Sequence, residues 1–208
     1  MPTTKVTRPQ LLEHAWSLIH RQGYAATSLA DVAAAAGIGK AGVLHHFGTK
    51  AGMMTAVVAW ARERFRGYVL AAFAKTGVRD DGTPWTLEAR FAEALRRMFR
   101  LVRRDDAGCF FGNAILETCP GGAFAEGLRG FVDDFLAAMT AALAERYDRA
   151  EARERAYRLL ADYQGSVLLF KASGGDRAHL ARFRERALAS RTLPLPGYAA
   201  AVGRGSAS

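Results

Sequence analysis

Cysteine is nearly absent from this chain, with only Cys109 and Cys119 in 208 residues. Two thiols so close together cannot build the disulfide framework of a small secreted protein, and a reducing cytoplasm is the expected compartment. Proline is also scarce, at six residues. Most prolines fall in the first ten positions, in the segment around Pro84 or in the tail, so long stretches contain no helix breaker. Long apolar runs are missing too. The runs that occur, such as the alanine stretch 33–36 or the apolar stretch 68–74, are far below the roughly 20 residues that a membrane-spanning helix needs, and no membrane span is expected. The opening MPTTKVTRPQ leads into Glu13, His14, Ser17 and His20 instead of an apolar core, so a secretory signal is not expected either. No glycine-rich phosphate loop and no cluster of metal-ligand spacing occurs. Adjacent His45 and His46 point apart on a helix and make a poor metal pair. Neither a cofactor nor a metal is expected.

What is present is rich in alanine, leucine and arginine, with 50% hydrophobic and 24% charged residues, the proportions of a globular all-α chain. The net charge of +9 is unevenly spread. Residues 1–50 carry 5 basic against 2 acidic side chains and 51–104 carry 11 against 5, whereas 105–174 reverse to 7 against 11. A basic first half favours a polyanionic partner such as nucleic acid.

Helical periodicity and punctuation divide the chain. Leu11, Leu12, Ala15, Trp16, Leu18 and Ile19 repeat at helical spacing up to Gly23. Thr27 and Ser28, with Asp31 following, read as a capping box for a second short helix ending at Gly37. Residues 40–46 make a third, and Thr49 caps a long fourth. After a loop at 75–84, five further helices are expected: one marked by Phe91, Leu95, Met98, Phe99 and Val102, then 109–118, 124–147, 150–172 and 177–190. The Pro-, Gly- and Ser-rich end, 191–208, reads as a flexible tail. The domain expectation is therefore a three-helix module over 1–50 and a larger helical bundle over 51–190.

Two short helices joined at Gly37, with small Ala33 where they approach, follow the helix-turn-helix plan. The second helix offers Lys40, Ala41, Gly42 and His45 to a major groove, with His46 beside them. Thr27 and Ser28 at the start of helix two, and Thr49 and Lys50 at the start of helix four, supply amides, hydroxyls and an ammonium suited to phosphate.

At these positions the chain resembles the TetR family of bacterial transcription regulators. Gly23-Tyr24, Thr27-Ser28, Asp31-Val32-Ala33, Ala36-Gly37-Ile38, Lys40, His46-Phe47 and Lys50 stand in the family's order and spacing. Departures concentrate in the recognition helix, where Gly39, Ala41, Gly42, Val43 and Leu44 replace the usual Ser, Gly, Thr, Leu and Tyr. The resemblance implies a homodimer formed through the last two helices, at about 150–190. It also implies a ligand pocket in the middle helices and a repressor whose paired recognition helices change spacing when ligand binds. Tyr157, Leu160, Ala161, Gln164, Gly165, Val167, Leu168 and Phe170 nearly encircle the eighth helix, more apolar surface than one monomer's core face needs. A two-fold dimer predicts a palindromic operator with half-sites about 34 Å apart.

Trp60, Phe65, Tyr68, Phe91, Met98, Phe99, Phe131 and Phe135 read either as core packing or as the lining of a pocket for a small, substantially apolar ligand. Cys109, Asn113 and Glu117 recur at i, i+4 and i+8. They read either as further ligand contacts or, for Asn113 and Glu117, as hydrogen bonds to neighbouring helices. The run Gly108-Cys109-Phe110-Phe111-Gly112-Asn113 also resembles a G-C-x-x-G-N segment of one TetR-like subgroup. Cys109 reads as a buried, inert cysteine, with two alternatives: a thiol that senses oxidants or electrophiles, or the nucleophile of an enzyme. Four of the five histidines lie in the amino-terminal module and only His179 in the body, a poor supply for catalysis. The expectation is a DNA-binding regulator, not an enzyme.

Overall fold

The computed structural model describes residues 6–104, 107–118 and 121–189. Among them are nine α-helices, a 3-10 turn at Leu70–Ala72 and one isolated antiparallel bridge between Val78 and Pro84. The all-α expectation holds. Cys119 and the expected tail 191–208 lie outside the described residues.

The chain divides into two compact units, each with its own core. The first combines residues 1–67 with 102–132. Its α1 (Arg8–Gln22) starts where the Thr7 N–H donates to Gln10 Oε1 at 2.8 Å, with Pro9 in the first turn, and it buries Leu11, Leu12, Ala15, Trp16 and Ile19. Helix α2 (Leu29–Ala36) packs on α1 and on α3 (Lys40–Phe47). Ala33 is buried at this approach, and Gly37 takes the left-handed φ of 66° that lets the Ile38 N–H return to Ala33 O at 3.0 Å. At the start of α4 (Lys50–Tyr68), the Gly52 N–H donates to Thr49 Oγ1 at 2.9 Å.

Helix α6 (Phe110–Leu116) completes this unit with the start of α7 (Ala125–Leu143). Phe111 stacks on Phe131 at 3.8 Å, while Phe65 meets Phe131 edge-on at 5.0 Å. Helix α6 is shorter than the expected 109–118. Cys109 is its extended N-cap and Glu117 its C-cap, so the line Cys109, Asn113, Glu117 is not one face of a continuous helix.

The second unit combines residues 68–101 with 133–208. It contains α5 (Leu87–Val102, its last residue excepted), the end of α7, α8 (Arg149–Ala172) and α9 (Ala178–Ala189), with α8 packed on α9. Asp148 caps α8 by accepting the Ala150 and Glu151 N–H groups, both at 2.9 Å. Buried Phe91, Phe135, Tyr163, Phe170 and Phe183 fill the core. Arg90 is buried among them and forms a bidentate pair with Glu145, while Nη1 also donates to Phe73 O at 3.1 Å. Leu160, Val167 and Phe170 of α8 join this core, whereas Tyr157, Leu168 and Leu169 remain 62%, 56% and 54% exposed.

Candidate nucleic-acid interface

The α1–α2 turn is built first, because it sets where α2 begins. Gly23 adopts φ 89° and ψ 161°, a conformation essentially reserved for glycine. Thr27, expected to offer its hydroxyl to phosphate, is instead fully buried and donates that hydroxyl to Gly23 O at 2.7 Å. It closes the turn and faces no solvent. Ser28 caps α2: its N–H donates to Asp31 Oδ2 at 2.7 Å and its Oγ accepts the Asp31 N–H at 3.1 Å. The Ser28 backbone N–H and hydroxyl together hold the exposed Asp31 carboxyl below its ordinary pKa.

Helix α3 presents one open face. Lys40, Ala41, Leu44 and His45, at i, i+1, i+4 and i+5, are all exposed, while Val43 behind them is completely buried. Gly42 is half-buried, and a Cβ there would stand 3.1 Å from Ile38 Cδ1, so this position is tight against its own turn. His46 and Phe47 are half-buried at the end of the helix, where the Arg8 guanidinium lies 5.5 Å from the Phe47 ring centre. Among the described residues no group of three His, Cys, Asp or Glu side chains could hold a metal ion.

Thr49 is exposed beside this helix, its hydroxyl engaged by the Gly52 N–H. Lys50 is half-buried: Nζ donates to Ala25 O at 2.9 Å and lies 4.7 Å over the Tyr24 ring. The residue that sequence reasoning passed over is Leu44, 39% exposed in the middle of the open face. Period alone assigns it to the apolar side of a two-turn helix, and only packing reveals that Val43 takes the core.

The arrangement is thus a capped helix, a glycine turn and a short second helix with an outward face mixing a cation, an imidazole and small apolar groups. Residues 11–57, which span all of it, match the family model described as bacterial regulatory proteins, tetR family. That match places a segment of the tetR-family type, built as a helix-turn-helix, at the amino-terminal end of this chain. Solved structures share the fold across most of their lengths. A TetR transcriptional regulator from Legionella pneumophila is 19% identical with a TM-score of 0.77, over 89% of this chain and 97% of that one. The reduced form of NemR from E. coli is 17% identical with a TM-score of 0.69, over 90% and 96%. FadR from Bacillus subtilis, in complex with stearoyl-CoA, is 13% identical with a TM-score of 0.68, over 89% and 98%. No curated protein matches the sequence.

The ligand candidates divide between the two units. Phe91, Met98 and Phe135 line an apolar cavity in the second unit with Phe73, Tyr163 and Phe183. The space left is ≈ 10 Å³, about enough for one water, so the lining side chains fill it. In the same unit Phe99 packs 6.0 Å from Phe183, and half-buried Tyr68 lies beneath the Arg97 guanidinium at 5.3 Å.

Trp60, Phe65, Phe131, Cys109, Asn113 and Glu117 belong to the first unit. Trp60 lies 6.3 Å from Trp16, which also meets Phe110 at 6.1 Å, so these rings tie α1 to α4 and α6. Asn113 Nδ2 donates to Ala107 O at 2.8 Å, and Glu117 Oε2 accepts the Ala25 N–H at 2.9 Å. Cys109 is 7% exposed and its Sγ accepts the Gly112 N–H at 3.5 Å. A thiol at that depth is shielded from reagents in solution.

Proposed function

We propose that the protein is a homodimeric, cytoplasmic repressor that reads a palindromic operator through α3 and is released by a small, substantially apolar ligand. The observation that carries the DNA-reading part is the open face of Lys40, Ala41, Leu44 and His45 on a helix only eight residues long. Lys40 and His45 supply hydrogen bonds to base edges. Ala41 and Gly42 allow close approach, and Leu44 supplies an apolar contact of the kind that recognises a thymine methyl. Ser28, His46, Thr49 and Lys50 are assigned to the flanking phosphates.

Functionally, residues 1–50 read DNA and 51–190 bind ligand and dimerise, with Gly108–Asn113 as the G-C-x-x-G-N segment of a TetR-like subgroup. The exposed apolar stripe of Tyr157, Leu168 and Leu169 on α8 supports dimerisation through α8 and α9. Ligand enters the aromatic core around Phe91, Met98 and Phe135, whose lining is apolar throughout except for the Tyr163 hydroxyl. Bound fully, it opens a space the free protein keeps closed.

Selection from a random duplex library at near-physiological salt tests the reading, because nonspecific phosphate attraction is then reduced. An enriched palindrome is the expected result. Within it, replacing one thymine by uracil removes only the 5-methyl group, and wild type is expected to lose affinity there while Leu44→Ala does not. Absence of any enriched sequence would overturn the operator assignment.

A further inference from the structure

The α1–α2 turn sits in a socket supplied by residues far along the chain. Ala25 is gripped at both ends of its backbone: its N–H donates to Glu117 Oε2 at 2.9 Å, and its carbonyl accepts from Lys50 Nζ at 2.9 Å. The Glu117 carboxylate lies so close over Gly23 that a Cβ there would be 2.8 Å from Oε1 and 3.1 Å from Oε2. Tyr24, between them, meets buried Phe124 edge-on at 5.0 Å. Three successive residues are therefore held by side chains that follow α6 or terminate it. Three positions beyond Ala25, Ser28 starts α2.

We infer that Glu117 is the positioning residue that fixes the α1–α2 turn, and with it the start of α2, in the orientation used to bind DNA. This rests on the DNA-reading function proposed above. Glu117 touches no nucleic acid; it acts by removing freedom from the turn before binding, so that less ordering remains to be done when the operator is engaged. A carboxylate accepting a backbone N–H is a strong hydrogen bond, yet one amide oxygen suffices for the same geometry. The electrostatic alternative runs the other way. Removing a negative charge near the DNA-binding module raises affinity for a polyanion, so a loss of affinity in a neutral variant opposes the charge effect.

The test compares wild type, Glu117→Gln and Glu117→Ala in the full-length protein. Amide hydrogen exchange is followed at Ala25, and affinity is measured for the selected operator duplex. In Glu117→Ala, Ala25 exchange is expected to accelerate by about tenfold, since its N–H loses its acceptor. Operator affinity is expected to fall about fivefold relative to Glu117→Gln, at unchanged helicity and melting temperature. Glu117→Gln should retain slow exchange and near-wild-type affinity.

Unchanged Ala25 exchange in Glu117→Ala overturns the inference, as does equal operator affinity of the two variants. An affinity loss that merely tracks a fall in melting temperature also overturns it. If wild type itself enriches no sequence, the DNA-reading function is what fails. Exchange at Ala25 then still decides whether Glu117 holds the turn.

Discussion

Gly52 and Gly67 lie on the same helix, and alanine should have opposite effects at the two. In isolation, replacing glycine by alanine inside a helix stabilises by roughly 0.5–1 kcal/mol, because the unfolded chain loses freedom and the helix gains propensity. At Gly67 a Cβ meets nothing within 4 Å and the residue is exposed, so the gain should appear nearly in full. At Gly52 the Cβ would stand 2.3 Å from Phe47 O and 3.3 Å from Thr49 Oγ1. The carbonyl belongs to backbone and already accepts the Thr49 N–H at 2.7 Å, so it cannot rotate away as a side chain would.

Relief requires moving the α3–α4 turn, and forced overpacking costs about 1–3 kcal/mol or more. Clash exceeds propensity, and the net for Gly52→Ala is a loss of about 2 kcal/mol. For a chain of this length that corresponds to a melting temperature lower by about 4–8 °C, against a rise of about 1–4 °C for Gly67→Ala. Thermal unfolding followed by circular dichroism reads both. A Gly52→Ala protein melting at or above the Gly67→Ala protein would refute the argument that the Phe47 carbonyl is immovable. Because the strained turn joins α3 to α4, Gly52→Ala should also weaken operator binding, whereas Gly67→Ala should leave it intact.

Glu93 accepts from Arg96 and Arg97, and these partners, Arg96 foremost, depress its pKa from 4.5 to about 2. The folded value is the lower one, so the linked stability is present above pH 4.5 and is lost as pH falls through about 2. Melting curves of wild type and Glu93→Gln should differ at pH 6 and converge towards pH 2; a gap that widens with acid would contradict the pairing. On α8, Leu168→Glu places a charge in the exposed apolar stripe without disturbing the core behind it. Light scattering after size exclusion should show dimers of wild type becoming monomers with helicity retained, and a dimeric Leu168→Glu protein would rule this stripe out of the interface.

The amino-terminal helices were legible because their signals are local. Ser28 with Asp31, Gly23, Gly37 and the spacing of Leu11, Leu12, Ala15, Trp16 and Ile19 act over one or two turns, where a side chain's effect on its own backbone dominates. Thr27 shows the limit of that reading. A hydroxyl at a helix start suits a phosphate by type, but whether it faces solvent depends on the turn's closure onto Gly23. Leu44 fails in the opposite direction, since an apolar side chain on a short helix reads as core until Val43 is seen to occupy it.

Composition and periodicity therefore determined the all-α class, the helix-turn-helix and its place in the chain, and the residue types available on its second helix. Tertiary structure alone decided which of eleven ligand candidates share a core. It separated Phe91, Met98 and Phe135 from Trp60, Phe65 and Phe131, although all six have the same apolar signature. It alone brought Glu117 to Ala25 across 92 positions of sequence. Helix caps and periods are written within a few residues, whereas a long-range contact is fixed by how whole helices pack, and no short stretch of sequence contains that information.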